Sequence, residues 1–553
     1  MDRNFLLAIA LSLLVLVIWS SYESGRRPKR APGAGGTPQV EQPVAEPPPP
    51  GAAPPAEVAE PAAAPLVREL AEERIAVVET DLFRAELTSH GAALRRWELA
   101  RYVDKSLPGH PRVVLTTVDR GEAGELATPF DELGYGDLRV AAYELEVAEP
   151  LRVVFVRDMG DVSVRKTYTF EQGSYAFRLR VEIENRSARL LRPSLAIHWR
   201  ARQRALPDFV DQSLVAYHDG EIERARLDRL GKGGFLGARS EPLAPKVFPG
   251  EVEWAGAELR YFLTIVAPEL PRDADAVFQP IEPSRTGDTI LRYSPIELPP
   301  GSELVREFRG YLGPKEPELL EAFGSGAAHA IGQGWQWVAP LAHFFAWMLR
   351  LCHAVIPNYG VAIIVLTVLV RLVTAPLTAR QMRSMRRMGE LQPRLRELQE
   401  KYRDDRQRQS QEMMKLYRET GVNPLGGCLP LVLQFPVFIG LYYALQSSID
   451  LRQAPFVLWI DDLSRPETLF TIPRLAIPVR VLPLLMGASM ILQQKMTPTT
   501  MDPQQARMMM TVMPVMFTVL FYQFPSGLVL YWMVSNLLAI GHQMLVNRQK
   551  APA

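Results

Sequence analysis

The chain has 553 residues, more than one ordinary domain needs, so we expect a membrane part and a separate globular part. Its formal net charge at pH 7 is +1, which argues against a nucleic-acid binder that works by bulk attraction to phosphate. The two cysteines, Cys352 and Cys428, lie in or beside apolar stretches. The sequence therefore predicts neither a disulfide framework nor a thiolate metal site, and we expect no cofactor and no direct contact with nucleic acid.

Residues 1–24 are predicted to be a membrane anchor. The apolar run from Phe5 to Tyr22 is about long enough to cross a hydrocarbon core of roughly 30 Å as a helix. A cleaved signal peptide is the alternative, but Trp19, Tyr22 and Glu23 stand where a small-x-small cleavage site would be, which favours a retained anchor. Residues 25–66 are dominated by Pro, Ala, Gly and Glu and are predicted to be a disordered linker.

Residues 67–315 are predicted to form an all-β sandwich. Apolar and charged residues alternate from Phe177 to Glu184, which gives a strand one buried and one wet face. The sequence of this region contains no nucleophile elbow, phosphate loop or ligand-spaced cluster of His, Asp and Glu, so we expect a scaffold or docking domain. Similar short runs separated by turn residues occur at Arg74 to Glu79, Leu82 to Leu87, Leu151 to Asp158, Val162 to Phe170, Leu259 to Ala267 and Glu303 to Leu312.

Residues 334–353 are predicted to form an amphipathic helix in the membrane interface. Gln336, His343, Arg350 and His353 fall on one side of such a helix, and tryptophan and phenylalanine cover much of the remainder, as in interfacial helices. A helix packed on the sandwich is the alternative.

Five further apolar segments give six predicted spans with the anchor. They are separated by a basic segment at 380–422 and by loops at 448–477 and 495–507, and a tail follows at 547–553. The basic segment holds many more Lys and Arg than Asp and Glu, so the positive-inside rule places it and both termini in the cytoplasm, and the sandwich in the periplasm. Arg26, Arg27, Lys29 and Arg30 oppose this orientation. The five spans are 357–379, 423–447, 478–494, 508–524 and 528–546.

Arg371 lies twelve residues into the second predicted span, roughly 18 Å from its outer end. An arginine at the centre of a membrane helix costs about 2.5 to 3.5 kcal/mol, and the five C-terminal spans contain no Asp or Glu that could pair with it. The guanidinium must face a water-filled cavity, snorkel to the cytoplasm or await an acidic partner. Other polar side chains in these five spans favour a hydrophilic groove, although interhelical hydrogen bonds explain such residues at least as often. Those side chains are Thr367, Gln434, Ser489, Gln493, Thr518, Gln523, Ser535 and Asn536.

The basic segment is predicted to be a helical hairpin, because two apolar stripes at helical spacing flank a break at Asp404 and Asp405. Methionines at its entrance would suit a surface that accepts varied hydrophobic sequences, and ordinary core packing is the alternative. The residues predicted to receive substrate are Met385, Met388, Leu391, Leu395, Leu398, Met413 and Met414.

Four motifs resemble the YidC family of bacterial membrane protein insertases. The resemblance covers roughly 335–546 closely and extends to the Gram-negative layout of an anchor, a large periplasmic sandwich and a core of five helices. The motifs are Asn423-Pro424-Leu425-Gly426-Gly427-Cys428, Leu451-Arg452-Gln453-Ala454-Pro455-Phe456, Gln494-Lys495-Met496-Thr497-Pro498 and Phe524-Pro525-Ser526-Gly527-Leu528.

The resemblance implies an inner-membrane insertase and chaperone that acts alone or with the Sec translocon. Its partners would be nascent membrane proteins, Sec accessory subunits, the lipid bilayer, the ribosome and the signal recognition particle machinery. It also implies a groove in which Arg371 attracts acidic substrate flanks, and to that groove we assign Tyr531 and Trp532 as well. Trp532 stands where the family has a tyrosine, and the tail lacks a long basic extension. The implied hydrophobic slide comprises Leu431, Phe435, Phe438, Val515 and Val519.

We therefore predict a non-enzymatic insertase. A small-molecule transporter with an anion site at Arg371 is one rival, but the spans show no internal repeats or paired broken helices. A sugar-modifying enzyme with its site in the sandwich is the other rival. Deletion of most of that domain would discriminate between an enzyme and an insertase, because insertion that survives the deletion argues against essential catalysis there.

Overall fold

The computed structural model describes residues 72–105, 107–204, 212–230, 244–332, 337–402, 405–420, 429–472, 477–496 and 503–548. The predicted anchor and linker lie outside the described residues, as do Gln336, Asp404 and the motif at 423–428. The side chains of Met385, Met388 and Leu431 also lie outside the description.

The described residues of the region predicted to be a sandwich form strands, short 3-10 turns and loops. Its strands are β1 Ile75–Glu79, β2 Phe83–Thr88, β3 Ala93–Val103, β4 Arg112–Thr117, β5 Glu144–Glu149, β6 Arg152–Asp158, β7 Val162–Phe170, β8 Ala176–Asn185, β9 Ala196–Arg202, β10 Ser213–His218, β11 Glu221–Arg226, β12 Lys246–Phe248, β13 Val252–Glu258, β14 Phe262–Pro268, β15 Ala274–Glu282, β16 Thr286–Tyr293 and β17 Glu303–Pro314.

These strands form three antiparallel sheets. The nine-stranded sheet has the order β11-β10-β13-β14-β17-β8-β7-β6-β5, and the four-stranded sheets have the orders β1-β2-β3-β4 and β12-β15-β16-β9. Trp97 of the first four-stranded sheet packs on Phe177 of the large sheet, with ring centroids 5.9 Å apart. Thr289 of the second donates a hydrogen bond to the carbonyl of Gly256, 2.7 Å away. The predicted sandwich is thus confirmed, with two small sheets covering one large sheet.

The alternation in β8 has the predicted consequence. Phe177, Leu179, Val181 and Ile183 are buried, whereas the arginines between them are exposed. Strand β14 begins at Phe262 rather than at Leu259, because the amide of Leu259 donates to the carbonyl of Phe262 at 2.9 Å and closes the turn from β13.

Lys166 of β7 is fully buried. Its Nζ donates to three backbone carbonyls, those of Gly91, Ala92 and Leu126, at 3.1, 3.3 and 3.0 Å. Burial lowers the pKa of this ammonium to about 7, because the charged form loses its hydration. The three hydrogen bonds attach β7 to the turn before β3 and to Leu126.

The chain after the sandwich is helical. The helices are α1 Pro317–Phe323, α2 Ala339–Val355, α3 Tyr359–Glu390, α4 Gln392–Lys401, α5 Arg406–Thr420, α6 Leu429–Ser447, α7 Val481–Met496, α8 Pro503–Phe521 and α9 Ser526–Arg548. A small antiparallel hairpin of β18 Phe470–Ile472 and β19 Ile477–Val479 precedes α7. The sequence had given no sign of strands in this loop.

Helices α2, α3, α6, α7, α8 and α9 share one apolar core, which includes Phe345, Leu366, Leu441, Met486 and Leu530. Within the described residues, Tyr359–Pro376 of α3 is long and apolar enough to cross a bilayer, and Thr511–Phe521 is a shorter apolar segment. The six-span topology and the cytoplasmic place of the hairpin stay predictions.

Helix boundaries differ from the prediction at two informative places. Helix α3 continues to Glu390, so the second predicted span and the start of the basic segment are one helix. Helix α8 ends at Phe521, three residues earlier than predicted. The amide of Phe524 instead donates to the carbonyl of Phe521 at 3.1 Å in a turn, since residue 525 is proline and disfavours helix before it.

The loop between α6 and α7 joins the helices to the sandwich. Arg452 donates to the carbonyl of Val103 at 2.9 Å, and Lys105 donates to the carbonyl of Gln453 at 3.2 Å. The amide of Gln453 lies 3.3 Å from a carboxylate oxygen of Asp104. These contacts attach the end of β3 to the start of the loop.

Replacing Lys166 with methionine should remove a pH-dependent part of sandwich stability. The folded pKa of Lys166 lies below the value of the unfolded chain, so the unfolded chain binds more protons between about pH 7 and 10 and stability rises with pH in that window. The free energy of unfolding of the parent, relative to the variant, should rise by about 1 kcal/mol per pH unit from pH 7.5 to 9.5. Melting of purified protein checks this.

The exposed Lys246 provides the matched control. Lys246→Met should keep the pH dependence of the parent. A parent and a Lys166→Met variant with parallel stability profiles across this range would contradict the prediction.

Candidate functional site

Arg371 lies in α3, and burial changes along the length of this helix. Ala362, Ile363, Leu366 and Thr367 are buried against the bundle, whereas Leu369, Leu372 and Val373 are exposed. Arg371 follows the buried stretch in the sequence and is itself partly buried. Its side chain is therefore neither sealed in the apolar core nor fully exposed.

Ser535 of α9 holds the guanidinium. Its hydroxyl oxygen accepts from Nε of Arg371 at 3.0 Å and from Nη2 at 2.5 Å. Among the described residues no carboxylate forms an ion pair with Arg371, and α6 to α9 contain no acidic residue in their sequences. A neutral dipole, rather than an opposite charge, orients this cation.

Tyr531 extends the polar network toward α6. Its side chain is buried, its hydroxyl accepts a hydrogen bond from Nε2 of Gln434 at 2.8 Å, and it also bonds to Ser535. Gln434 is partly exposed, like Arg371. Buried hydroxyl groups thus connect two partly exposed polar side chains on helices distant in sequence.

Two other predicted groove residues form hydrogen bonds with groups outside this network. Asn536 is buried and donates to Ser489 of α7 at 3.1 Å, and Thr367 is fully buried and donates to the carbonyl of Ile363 at 2.6 Å. The first is a hydrogen bond between helices, and the second lies within α3 between residues one turn apart. Gln493 is partly exposed on α7.

Gln523 is not brought to Arg371. It is exposed in the turn between α8 and α9, and Ser535, the partner of Arg371, lies nine residues into α9, roughly 14 Å from its start. The turn forms because α8 stops before Pro525, so this glutamine is at the end of the bundle.

The predicted slide residues separate into an exposed and a packed set. Val519 is 69% exposed, and Phe435 and Val515 are also exposed. Phe438 instead packs edge-on against Trp532 with ring centroids 4.8 Å apart. An apolar surface therefore runs over α6 and α8, with an aromatic cluster beneath it.

The sequence prediction missed two members of that cluster. Phe517 and Phe521 pack on Trp532 with centroid distances of 5.8 and 5.2 Å. Their four-residue spacing on α8 places them on one helix face and was the available signal. Trp532 is thus enclosed by aromatic rings, although its side chain stays partly exposed.

The basic segment forms two short helices that pack together. Leu391 and Leu395 are buried against Met413, Leu416 and Tyr417. In addition, Leu398 is partly exposed and Met414 is exposed. Most of the predicted receiving residues that the structure describes therefore form a small core, and Met414 presents its thioether outward.

Family models cover nearly the whole chain. Residues 351–552 match the 60Kd inner membrane protein family, and residues 75–348 match the YidC periplasmic domain. The membrane protein insertase YidC of Syntrophus aciditrophicus is 34% identical over 99% of this chain and 100% of its own length, and that of Pelobacter propionicus is 35% identical over 99% of each.

The chain belongs to the YidC family of membrane protein insertases. A crystal structure of an active YidC insertase with its first transmembrane domain resolved aligns with 88% of this chain and 96% of its own, at 18% identity and a TM-score of 0.36.

Membership in the YidC family confirms the predicted resemblance and three general properties. The chain is an inner-membrane protein, it carries a periplasmic β-sandwich domain, and its substrates are nascent membrane proteins. Its relatives are named insertases rather than enzymes, in agreement with the prediction of a non-enzymatic function.

Gly487 lets α7 and α8 approach closely. A Cβ added at Gly487 would lie 2.1 Å from Oγ1 of Thr518, which donates to the carbonyl of Pro514 at 2.7 Å. Gly487→Ala should therefore lower the free energy of unfolding by about 1 to 3 kcal/mol through overpacking, measured by thermal melting in detergent.

The second variant tests the cause. Thr518→Ala in the Gly487→Ala background removes the clashing hydroxyl and should restore most of the loss. Gly541→Ala, at a position with open space around it, should not destabilise the protein. A Gly487→Ala variant as stable as the parent would show that the two helices separate without cost.

Proposed function

We propose that this chain inserts client proteins through a hydrophilic groove on which Arg371 attracts the acidic flank of the client. The observation that carries the proposal is the guanidinium bound by a hydroxyl, without an acidic partner among the described residues. A client carboxylate at about 4 Å would gain about 4 kcal/mol in a medium of effective dielectric 20. The charge is therefore available to a passing substrate.

Partial hydration is the second part of the proposed mechanism. Arg371 and Gln434 are partly exposed above the buried hydroxyl groups of Tyr531 and Ser535. Polar flanks of a client that contact these groups would lose less hydrogen bonding than in hydrocarbon, where an unsatisfied polar group costs several kcal/mol. The groove thus lowers the barrier for the flank that must cross.

The apolar segment of the client would lie against α6 and α8. Four apolar side chains are exposed on these helices: Val512, Val515 and Val519 of α8 and Phe435 of α6. They form an apolar surface whose side chains have few rotatable bonds. A client helix would pass along this slide into lipid while its flank contacts the groove.

The proposed topology has six spans with both termini in the cytoplasm. The stretch 380–418 contains twelve Lys and Arg and six Asp and Glu, which supports a cytoplasmic place for α4 and α5 under the positive-inside rule. In that place Met414 would meet clients first. Family membership supports action alone or beside the Sec translocon, with the ribosome and the signal recognition particle machinery as further proposed partners.

Arg371→Ala should impair insertion of small clients whose translocated tails are acidic. We expect the yield of protease-protected tail in proteoliposomes to fall about tenfold, equivalent to about 1.4 kcal/mol, and Arg371→Lys to recover part of it because the charge remains. The control is the same client with its tail acids replaced by amides, which the alanine variant should insert as well as the parent does.

Equal loss for acidic and neutral tails would show that Arg371 stabilises the bundle and does not attract clients. If the alanine variant inserted every acidic client as well as the parent does, Arg371 would not attract acidic flanks during insertion.

A photo-crosslinking residue at Val519 should capture a stalled nascent client, because the proposed path follows α8. The matched control is Leu537, which is also exposed but lies on α9. We expect several-fold more adduct from position 519. Equal adducts from both positions would mean that clients touch every lipid-facing surface and follow no slide.

A further inference from the structure

The loop between α6 and α7 exposes apolar side chains at two places. Leu458 is 83% exposed and adopts a left-handed backbone conformation with φ +57°, which a bulky residue rarely does. Beside it Val457 is also exposed. The β18–β19 hairpin exposes Phe470, at 55%, together with Leu469 and Ile477.

Both places are fixed at the ends of helices. The side-chain amide of Asn358, the residue before α3, donates to the carbonyl of Phe456 at 3.1 Å. After α8, the hydroxyl of Tyr522 donates to the carbonyl of Pro478 in β19, and Arg480 donates to the carbonyl of Tyr522. The turn at Leu458 and the hairpin therefore lie level with the ends of α3 and α8.

The surroundings have the chemistry of a membrane interface. The guanidinium of Arg480 lies 5.0 Å from the ring centroid of Tyr522, and the indole of Trp459 donates to Glu467 at 2.7 Å. Aromatic rings with polar tips and basic side chains are enriched where hydrocarbon meets headgroups. The exposed apolar residues thus occupy the level at which lipid is expected.

The exposed apolar surface of the hairpin is continuous with that of α7, which favours lipid over a protein partner as its neighbour. Helix α7 begins two residues after β19, and it exposes Leu484, Leu485, Ile491 and Leu492. The exposed apolar surface of the hairpin thus continues into a helix that is itself proposed to face lipid. By contrast, the start of the loop contacts the sandwich, where Ile449 is buried in the sandwich core and Arg452 donates to the carbonyl of Val103.

We propose that the Val457–Leu458 turn and the β18–β19 hairpin insert into the headgroup boundary of the outer leaflet. Apolar side chains of interfacial segments reach about 5 to 10 Å into that boundary. The loop then anchors the outer ends of α7 and α8 at a fixed depth. The inference rests on the proposed topology, which places this loop on the periplasmic side.

Spin labels can test the depth of the loop in the full chain. A Cys352→Ser, Cys428→Ser background that retains insertion activity would carry Phe470→Cys or Leu458→Cys in nanodiscs. The accessibility of each label to oxygen and to a water-soluble nickel chelate is then compared. We expect both labels to favour oxygen at least twofold over Val247→Cys, an exposed site in the sandwich, and to be shallower than Leu485→Cys on α7.

The controls separate the possible failures. If the labels at 470 and 458 are as accessible to the nickel chelate as the label at 247, while the label at 485 lies deep in lipid, the proposed anchor is wrong and the topology stands. A label at 485 that is open to the nickel chelate would overturn the topology, and the anchor with it. Labels at 470 and 458 that are shielded from both reagents would show that protein covers the loop and would also overturn the proposal.

Discussion

Ser535 and Arg371 make the contact on which the proposed client path depends. A hydroxyl dipole orients the guanidinium without neutralising it, so the charge keeps its attraction for a carboxylate. A buried acid in that place would have satisfied the arginine and removed the attraction. The absence of acidic residues from the sequences of α6 to α9 is therefore as important to the proposed mechanism as the arginine itself.

The surface over α6 and α8 complements that charge. Valine and phenylalanine side chains are exposed there, while Trp532, Phe517 and Phe521 fill the space beneath. The aromatic rings pack between α8 and α9, and small residues such as Gly487 let their neighbour α7 approach closely. In the proposed mechanism a client segment would meet this apolar surface beside the polar side chains of Arg371 and Gln434.

Much of this could be predicted from local pattern. Period-two alternation located β8, and the lack of acids in the spans predicted an arginine without an acidic partner, in agreement with the contacts of Arg371 among the described residues. Its partner lies 164 residues away, and no periodicity links two positions so distant. Gln523 was placed in a span because apolar residues continue to Phe524, whereas Pro525 ends the helix earlier. The β18–β19 hairpin escaped prediction because its strands are three residues long.

The contacts of Arg452, Gln453, Lys105 and Asp104 have a mechanical consequence. They join the last residues of β3 to a loop that continues, through the hairpin, directly into α7. Among the described residues, these hydrogen bonds add an attachment to the covalent connection that leads from the sandwich through α1 and α2. Rotation of the periplasmic domain relative to the helices would therefore have to break them.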